Sequence, residues 1–129
     1  MNHITTKIFT AQITIGLCRR YSNEQISLET FKQELLEAQI EINTKFKVVL
    51  SAKLRHCEIL FLGQEEPSIE LVFIQYPKFQ TDEKILKKAI LSLTENLMQK
   101  LEQNRVVIVF PEETIMLEQD NQIDPAIKL

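Results

Sequence analysis

Four residues of the 129-residue chain have side chains suited to gripping an anion or presenting a hydroxyl: Arg19, Arg20, Tyr21 and Tyr76. The first three sit in "GLCRRYSN" (16–23), between a strand-like and a helix-like stretch. An arginine pair there can fork onto a carboxylate or phosphate. A helix N-terminus aimed the same way adds free N–H groups. The same arginines also suit a solvated rim, paired with Glu24 or with the acidic C-terminal end. Tyr76 ends a strand-like run, where its hydroxyl serves a pocket or an interface equally well.

Other groupings are weaker. Arg55, His56, Cys57 and Glu58 hold a cysteine beside a histidine, the elements of a nucleophile and its base. Neighbours on a strand point to opposite faces, so the dipeptide cannot pair within itself. Cys57 then reads as a small buried hydrophobe, and His56 as a rim residue. Glu112 and Glu113 suit acid–base work only if their environments differ; adjacent acids in a turn are ordinarily solvated. Lys84, Lys87 and Lys88 form an exposed helix row. The two glycines, Gly16 and Gly63, lie far apart, which excludes Gly-rich phosphate loops. Two Cys and two His without ligand spacing argue against a metal site, and no cofactor is expected.

A net charge of −3 gives no general pull toward nucleic acid. The acidic excess lies in the second half, where Glu112 to Asp124 concentrate it. No run has the length of a membrane span, and "MNHITTKIFT" lacks a signal-peptide core. A cytoplasmic protein with no membrane partner is expected.

The positioning elements follow from periodicity. "KIFTAQITIGLC" (7–18) alternates as a strand. Residues 27–43 read as a helix capped by Ser27, with Leu28, Phe31, Leu35, Leu36 and Ile40 as its stripe. "FKVVLSAKL" (46–54) alternates again, and "EILFLG" follows as its continuation past a bulge or as a separate strand. "QEEPS" reads as a turn marked by Pro67, and 68–76 as a strand. A second helix begins at Thr81 or Asp82, striped by Leu86, Ile90, Leu93, Leu97 and Leu101. "NRVVIVF" (104–110) and "TIMLE" (114–118) are strands.

The order β-α-β-β-α-β plus a short strand predicts an α+β, ferredoxin-like domain over residues 1–118, with two helices on one sheet face. Residues 119–129 form a tail, flexible or packed on a neighbouring subunit. Val72, Ile74 and Tyr76 oppose Ile69, Leu71 and Phe73, and Val107 and Val109 oppose Val106, Ile108 and Phe110. Strands apolar on both sides want cover on both. A homo-oligomer supplies it; the tail folding back is the alternative.

"ITIGLCRRYSNEQISLETF", "EEPSIELVFIQYPK" and "LEQNRVVIVF" together resemble a family of small bacterial proteins of unknown function, often lipoproteins. The resemblance spans about residues 12–110 and implies an α+β fold with no assigned activity. A lipobox cysteine near the start is missing. "NRVVIVF" is also similar to the last core strand of the trimeric tautomerase superfamily. That resemblance implies catalysis by an N-terminal proline; residue 2 here is Asn2.

These readings point first to a homo-oligomeric binding or regulatory protein without catalysis, taking a small anionic ligand at Arg19, Arg20 and Tyr21. A tautomerase-like or small α+β-barrel enzyme with a pocket between subunits is the second reading. A structural protein binding another chain through its apolar sheet face is the third.

Overall fold

The computed structural model describes residues 1–127. Its elements are β1 (Thr10–Gly16), α1 (Leu28–Phe46), β2 (Lys53–Phe61), β3 (Gln64–Ile74), α2 (Glu83–Lys100), β4 (Arg105–Val109) and β5 (Thr114–Glu118). Lys128 and Leu129, the end of the expected tail, lie outside the described residues. The strands form one antiparallel sheet in the order β2-β3-β1-β4-β5. The order β2-β3-β1-β4 is the ferredoxin-like arrangement, and β5 extends it by one strand, as the element order predicts.

One core joins the inner face of the sheet to both helices. Ala11, Ile13 and Ile15 of β1 and Ile69, Leu71 and Phe73 of β3 are fully buried there. Phe31, Leu35, Ala38 and Ile42 of α1 meet them, as do Leu86, Ile90, Leu93 and Leu97 of α2. Each helix starts at a side-chain cap. The Ser27 hydroxyl accepts the Thr30 N–H at 3.1 Å, and Asp82 Oδ1 accepts that of Lys84 at 2.9 Å. Such caps are worth about 1 kcal/mol each.

Three expectations need correction. The first concerns the expected strand 46–54, of which only Lys53 and Leu54 are strand. α1 runs on to Phe46, and Lys47 closes it in the left-handed conformation (φ 59°), donating its N–H to the Asn43 carbonyl at 3.0 Å. Val48 and Leu50 are still buried, but as a connecting segment, and one continuous β2 begins at Lys53. The second concerns the stripe of α1: Leu36 and Ile40 face outward, while Ala38 and Ile42 complete the buried row.

The third concerns the turn. It lies at Leu62–Gly63, both in the left-handed region (φ 47° and 87°), joining Phe61 directly to its partner Gln64. Pro67 lies inside β3, opposite Glu58. A proline there gives up one ladder bond but leaves no acceptor unpaired. Its carbonyl accepts the Leu17 N–H at 2.9 Å, and the Leu17 carbonyl that would have received its missing N–H takes Ile26 N–H instead, at 2.6 Å.

A two-residue turn with both φ values positive favours Asn-Gly. Leu62 carries a branched side chain there and leaves it two-thirds exposed. Leu62→Asn is expected to raise stability by up to about 1 kcal/mol, read as a higher urea midpoint. A lower midpoint would contradict the turn geometry.

Candidate functional site

Residues directly opposed in an antiparallel ladder share a face. The face away from the helices therefore carries Thr14 and Gly16 of β1 beside Glu70 and Ser68 of β3, with Arg55 and Cys57 of β2 beyond them. On the other side of β1 it carries Val107 and Val109 of β4, then Met116 of β5. By the same alternation Glu66 and Arg105 belong to this outer face, and both lie at its Gly16 end.

The outer face is divided by chemistry. Toward the far end Val72, Ile74, Val107, Val109 and Met116 form an apolar field, with Ile74, Val109 and Met116 exposed. At the Gly16 end the residues are polar. Glu66 remains in contact with water as a residue, but its carboxyl end folds over the bare backbone of Gly16. A Cβ at Gly16 would collide with Glu66 Oε1 and stand 3.0 Å from Gln103 Oε1. Gly16 is thus a close-approach glycine. Burial raises the Glu66 carboxyl pKa above its ordinary value, and the negative charge of Asp124 adds to that. Among the described residues, no cation lies within ion-pair distance of Glu66.

Glu70 differs, because Arg55 across the ladder bonds it (Nε to Oε1, 3.1 Å). Cys57 lies next to Arg55 on the same face, opposite Ser68, half-buried rather than in the core as expected. Burial raises the pKa of both thiols. The charge of Glu70 pushes Cys57 the same way against Arg55, and that of Glu66 does so for Cys18. Both cysteines are held as thiols, a poor state for nucleophilic attack.

The predicted anion residues separate into two groups. Arg19 donates to Glu102 at 2.9 Å and lies 3.4 Å from Glu24. Arg20 bonds Asp120 at 2.5 Å and Gln122 Oε1 at 2.7 Å. Tyr21 donates its hydroxyl to the Gln122 carbonyl at 3.0 Å and accepts from Asn104 and Arg105. Residues 119–126 therefore return onto their own chain. Tyr76 lies at the opposite end of the sheet, stacked on Phe79 with ring centroids 5.8 Å apart. Glu112 and Glu113 both bind the Lys87 ammonium, which holds Glu112 below its ordinary pKa.

Glu66, Asn104 and Arg105 were not singled out by sequence reasoning. Glu66 looked like part of a turn, and Asn104 and Arg105 like the polar start of a strand. The available signal was Gly16, one of only two glycines, placed at a strand end where a neighbour could approach.

The elevated Glu66 pKa has a definite sign. Below the unfolded value near 4.5 the carboxyl is neutral in both states and costs nothing. As pH rises through the folded value a buried charge must form, and stability falls. Glu66→Gln is expected to raise the urea midpoint at pH 7, with the gain vanishing as pH approaches 4.5. A pH-independent gain would remove the burial argument.

No protein-family model matches the chain, and no curated protein matches it. Among solved structures it is similar to a phage SAM lyase in complex with S-methyl-5′-thioadenosine, with a TM-score of 0.64 and 15% identity. That alignment covers 92% of this chain and 95% of that one. A phage SAM lyase in the apo state aligns with a TM-score of 0.66, also at 15% identity, over 89% of this chain and 92% of the other. At this identity the likeness establishes the fold.

Proposed function

We propose that the chain is a homo-oligomer that binds S-adenosylmethionine at the Gly16 end of its outer sheet face and cleaves it to S-methyl-5′-thioadenosine. The observation that carries this reading is the pairing of opposite charges across Gly16. Glu66, a part-desolvated carboxylate, faces one side, and Arg105, whose Nε bonds the Glu118 carboxylate at 2.5 Å and whose terminal nitrogens face Tyr21, lies on the other, in a fold matched over nine-tenths of its length by a lyase for this compound. The ligand has a complementary pattern: a sulfonium cation at its centre and a carboxylate on its amino-acid arm.

The chemistry needs no co-reactant. The ligand's carboxylate closes on its own γ-carbon as the bond from that carbon to sulfur breaks. The electron pair of that bond returns to sulfur and neutralises it, leaving S-methyl-5′-thioadenosine and homoserine lactone. The protein's part is to fold the arm onto the γ-carbon and exclude water. Positive charge disappears from sulfur along this path. A carboxylate beside the sulfonium thus favours the bound ground state more than the transition state, and Glu66 serves capture rather than rate.

The apolar field supports the oligomeric half of the reading. Ile74 and Val109 lie open on a face that no element among the described residues covers. Tyr76 and Phe79, stacked at the same end, extend it toward a neighbour. A subunit seated there also supplies the second wall that the shallow Gly16 end lacks. A binding protein without turnover remains the reading if the ligand is held intact.

Two measurements test the proposal. Calorimetry is expected to detect S-adenosylmethionine binding, and chromatography to detect S-methyl-5′-thioadenosine released from it. Glu66→Gln should weaken binding about tenfold, the scale of one charge contact, without lowering kcat. Absence of binding in the native chain would sink the reading. Separately, light scattering should give a multiple of the 15.1 kDa chain mass. The pair Ile74→Glu and Val109→Glu should give a folded monomer, because burying unpaired carboxylates costs several kcal/mol. A native monomer would refute the interface.

A further inference from the structure

We infer that Tyr21, Asn104 and Arg105 form a carboxylate-recognition site, occupied in cis by the carbonyl groups of residues 120 and 122. The site rests on the geometry below; only its assignment to the amino-acid arm of S-adenosylmethionine rests on the proposed function.

Asn104 is 3% exposed, a buried amide that must be satisfied. Its Nδ2 reaches the Gln122 carbonyl at 3.1 Å and the Asp120 carbonyl at 3.3 Å. Each oxygen has a second donor. Tyr21 donates to the Gln122 oxygen at 3.0 Å, and Arg105 Nη2 to the Asp120 oxygen at 3.4 Å. An amide nitrogen that reaches both oxygens, a phenol and a guanidinium converge here, and each is a donor that a carboxylate accepts from. Arg105 Nη1 and Asn104 Nδ2 also hold the Tyr21 oxygen, at 2.8 and 2.9 Å, so the donors form one connected set, while Arg105 Nε bonds the Glu118 carboxylate at 2.5 Å and leaves Nη1 and Nη2 to the site.

The set is built at a cost. Tyr21 sits in the left-handed region (φ 52°), which disfavours a bulky residue by roughly 1 kcal/mol or more. It is held there by the neighbouring Arg20 N–H, bonded to the Glu102 carbonyl at 2.8 Å. The occupying segment, in contrast, is lightly attached. Asp120 to Ile123 are exposed, and Ile123 buries little. Its ties are the exposed Arg20–Asp120 pair, the Arg20 bond to Gln122 Oε1 at 2.7 Å, the Asp120 N–H donated to Asn104 Oδ1 at 3.0 Å, the Gln64 bond to the Ala126 carbonyl at 3.0 Å, and the site itself. Attachments of this kind open at low free energy. Asp120 also shapes the segment from within, since its Oδ1 accepts the Gln122 N–H at 2.8 Å. Arg105 faces the Gly16 side of the sheet, so a carboxylate here lies on the same face as Glu66.

Asp120→Ala in the full chain removes both the Arg20 pair and the internal bond, and so loosens the competitor without touching the site. L-methionine is the carboxylate probe, and 3-(methylthio)propylamine is the same molecule without the carboxylate. Titrations followed by the Asn104 side-chain amide resonances should show L-methionine binding at least fivefold tighter to Asp120→Ala than to the native chain. The amine should show no gain. Adding Tyr21→Phe or Arg105→Gln to Asp120→Ala should abolish the gain; Tyr21→Phe keeps the ring and the backbone, and thermal melts verify its fold. Equal affinities in native and Asp120→Ala chains, no L-methionine binding to either, or a gain shared by the amine would each overturn the site. S-methyl-5′-thioadenosine has no carboxylate, and its affinity should be the same in both chains. If neither nucleoside binds while L-methionine behaves as expected, the proposed function falls and the carboxylate site stands.

Discussion

A sheet has two faces, and this chain has helices for only one of them. The inner face is filled by Ile13, Ile15, Leu71, Phe73 and Ile108, all with essentially no exposure. The outer face repeats the same β-branched chemistry at Val72, Ile74, Val107 and Val109, with no layer above it among the described residues. Each such side chain gains about 1.5–3 kcal/mol when fully removed from water. The strands thus carry apolar side chains on both sides, and among the described residues only the inner layer is covered. This asymmetry also locates the polar residues. Where the outer face becomes polar, around Gly16, apolar cover no longer explains the residue choice, and the charges there need another account.

Gly16 gives that account its geometry. Without a Cβ, the end of β1 is low enough for the Glu66 carboxyl to lie across it. A carboxyl so placed is partly desolvated, and it lacks the ladder partner that Arg55 provides for Glu70. The contrast between these two acids, on one strand and one face, matters more than either alone. Glu70 is neutralised across the ladder, as a structural charge is. Glu66 is only partly removed from water and feels the charge of a second carboxylate, Asp124, an arrangement that a cation would relieve.

Much of the scaffold was legible from alternation and helical spacing. The β1 and β4 faces, the stripe of α2, the Ser27 N-cap and the two-sided apolar character of β3 all follow from residue order. The misread stretches share a cause: local chemistry that another contact overrules. Lys47 closes α1 without a glycine, so the helix end carried no mark, and the alternating residues after it passed for a strand. Pro67 has the look of turn punctuation, yet it is tolerated in β3 because Ile26 occupies the carbonyl it would have bonded. Leu62 is an unusual residue for a left-handed turn position, so the real turn was overlooked. The site was harder to read, because Glu66, Gly16, Tyr21 and Arg105 meet only through register and through the return of the chain end.

That return changes the meaning of the two arginines. Arg19 and Arg20 are neighbours in sequence but serve different contacts: Arg19 ties the segment after β1 to the end of α2 at Glu102, and Arg20 reaches Asp120. Exposed pairs of this kind add little stability singly. Their effect is positional, because they fix the backbone around Tyr21 in a conformation it would not choose. A strained tyrosine, a buried asparagine and an arginine that share one oxygen are an expensive way to secure a chain end. Main-chain pairing already carries the segment as far as Gln119, whose N–H bonds the Asn104 carbonyl at 2.9 Å. From Asp120 onward the contacts pass to side chains, whose donors would serve a free carboxylate as well as they serve the peptide carbonyls they now hold.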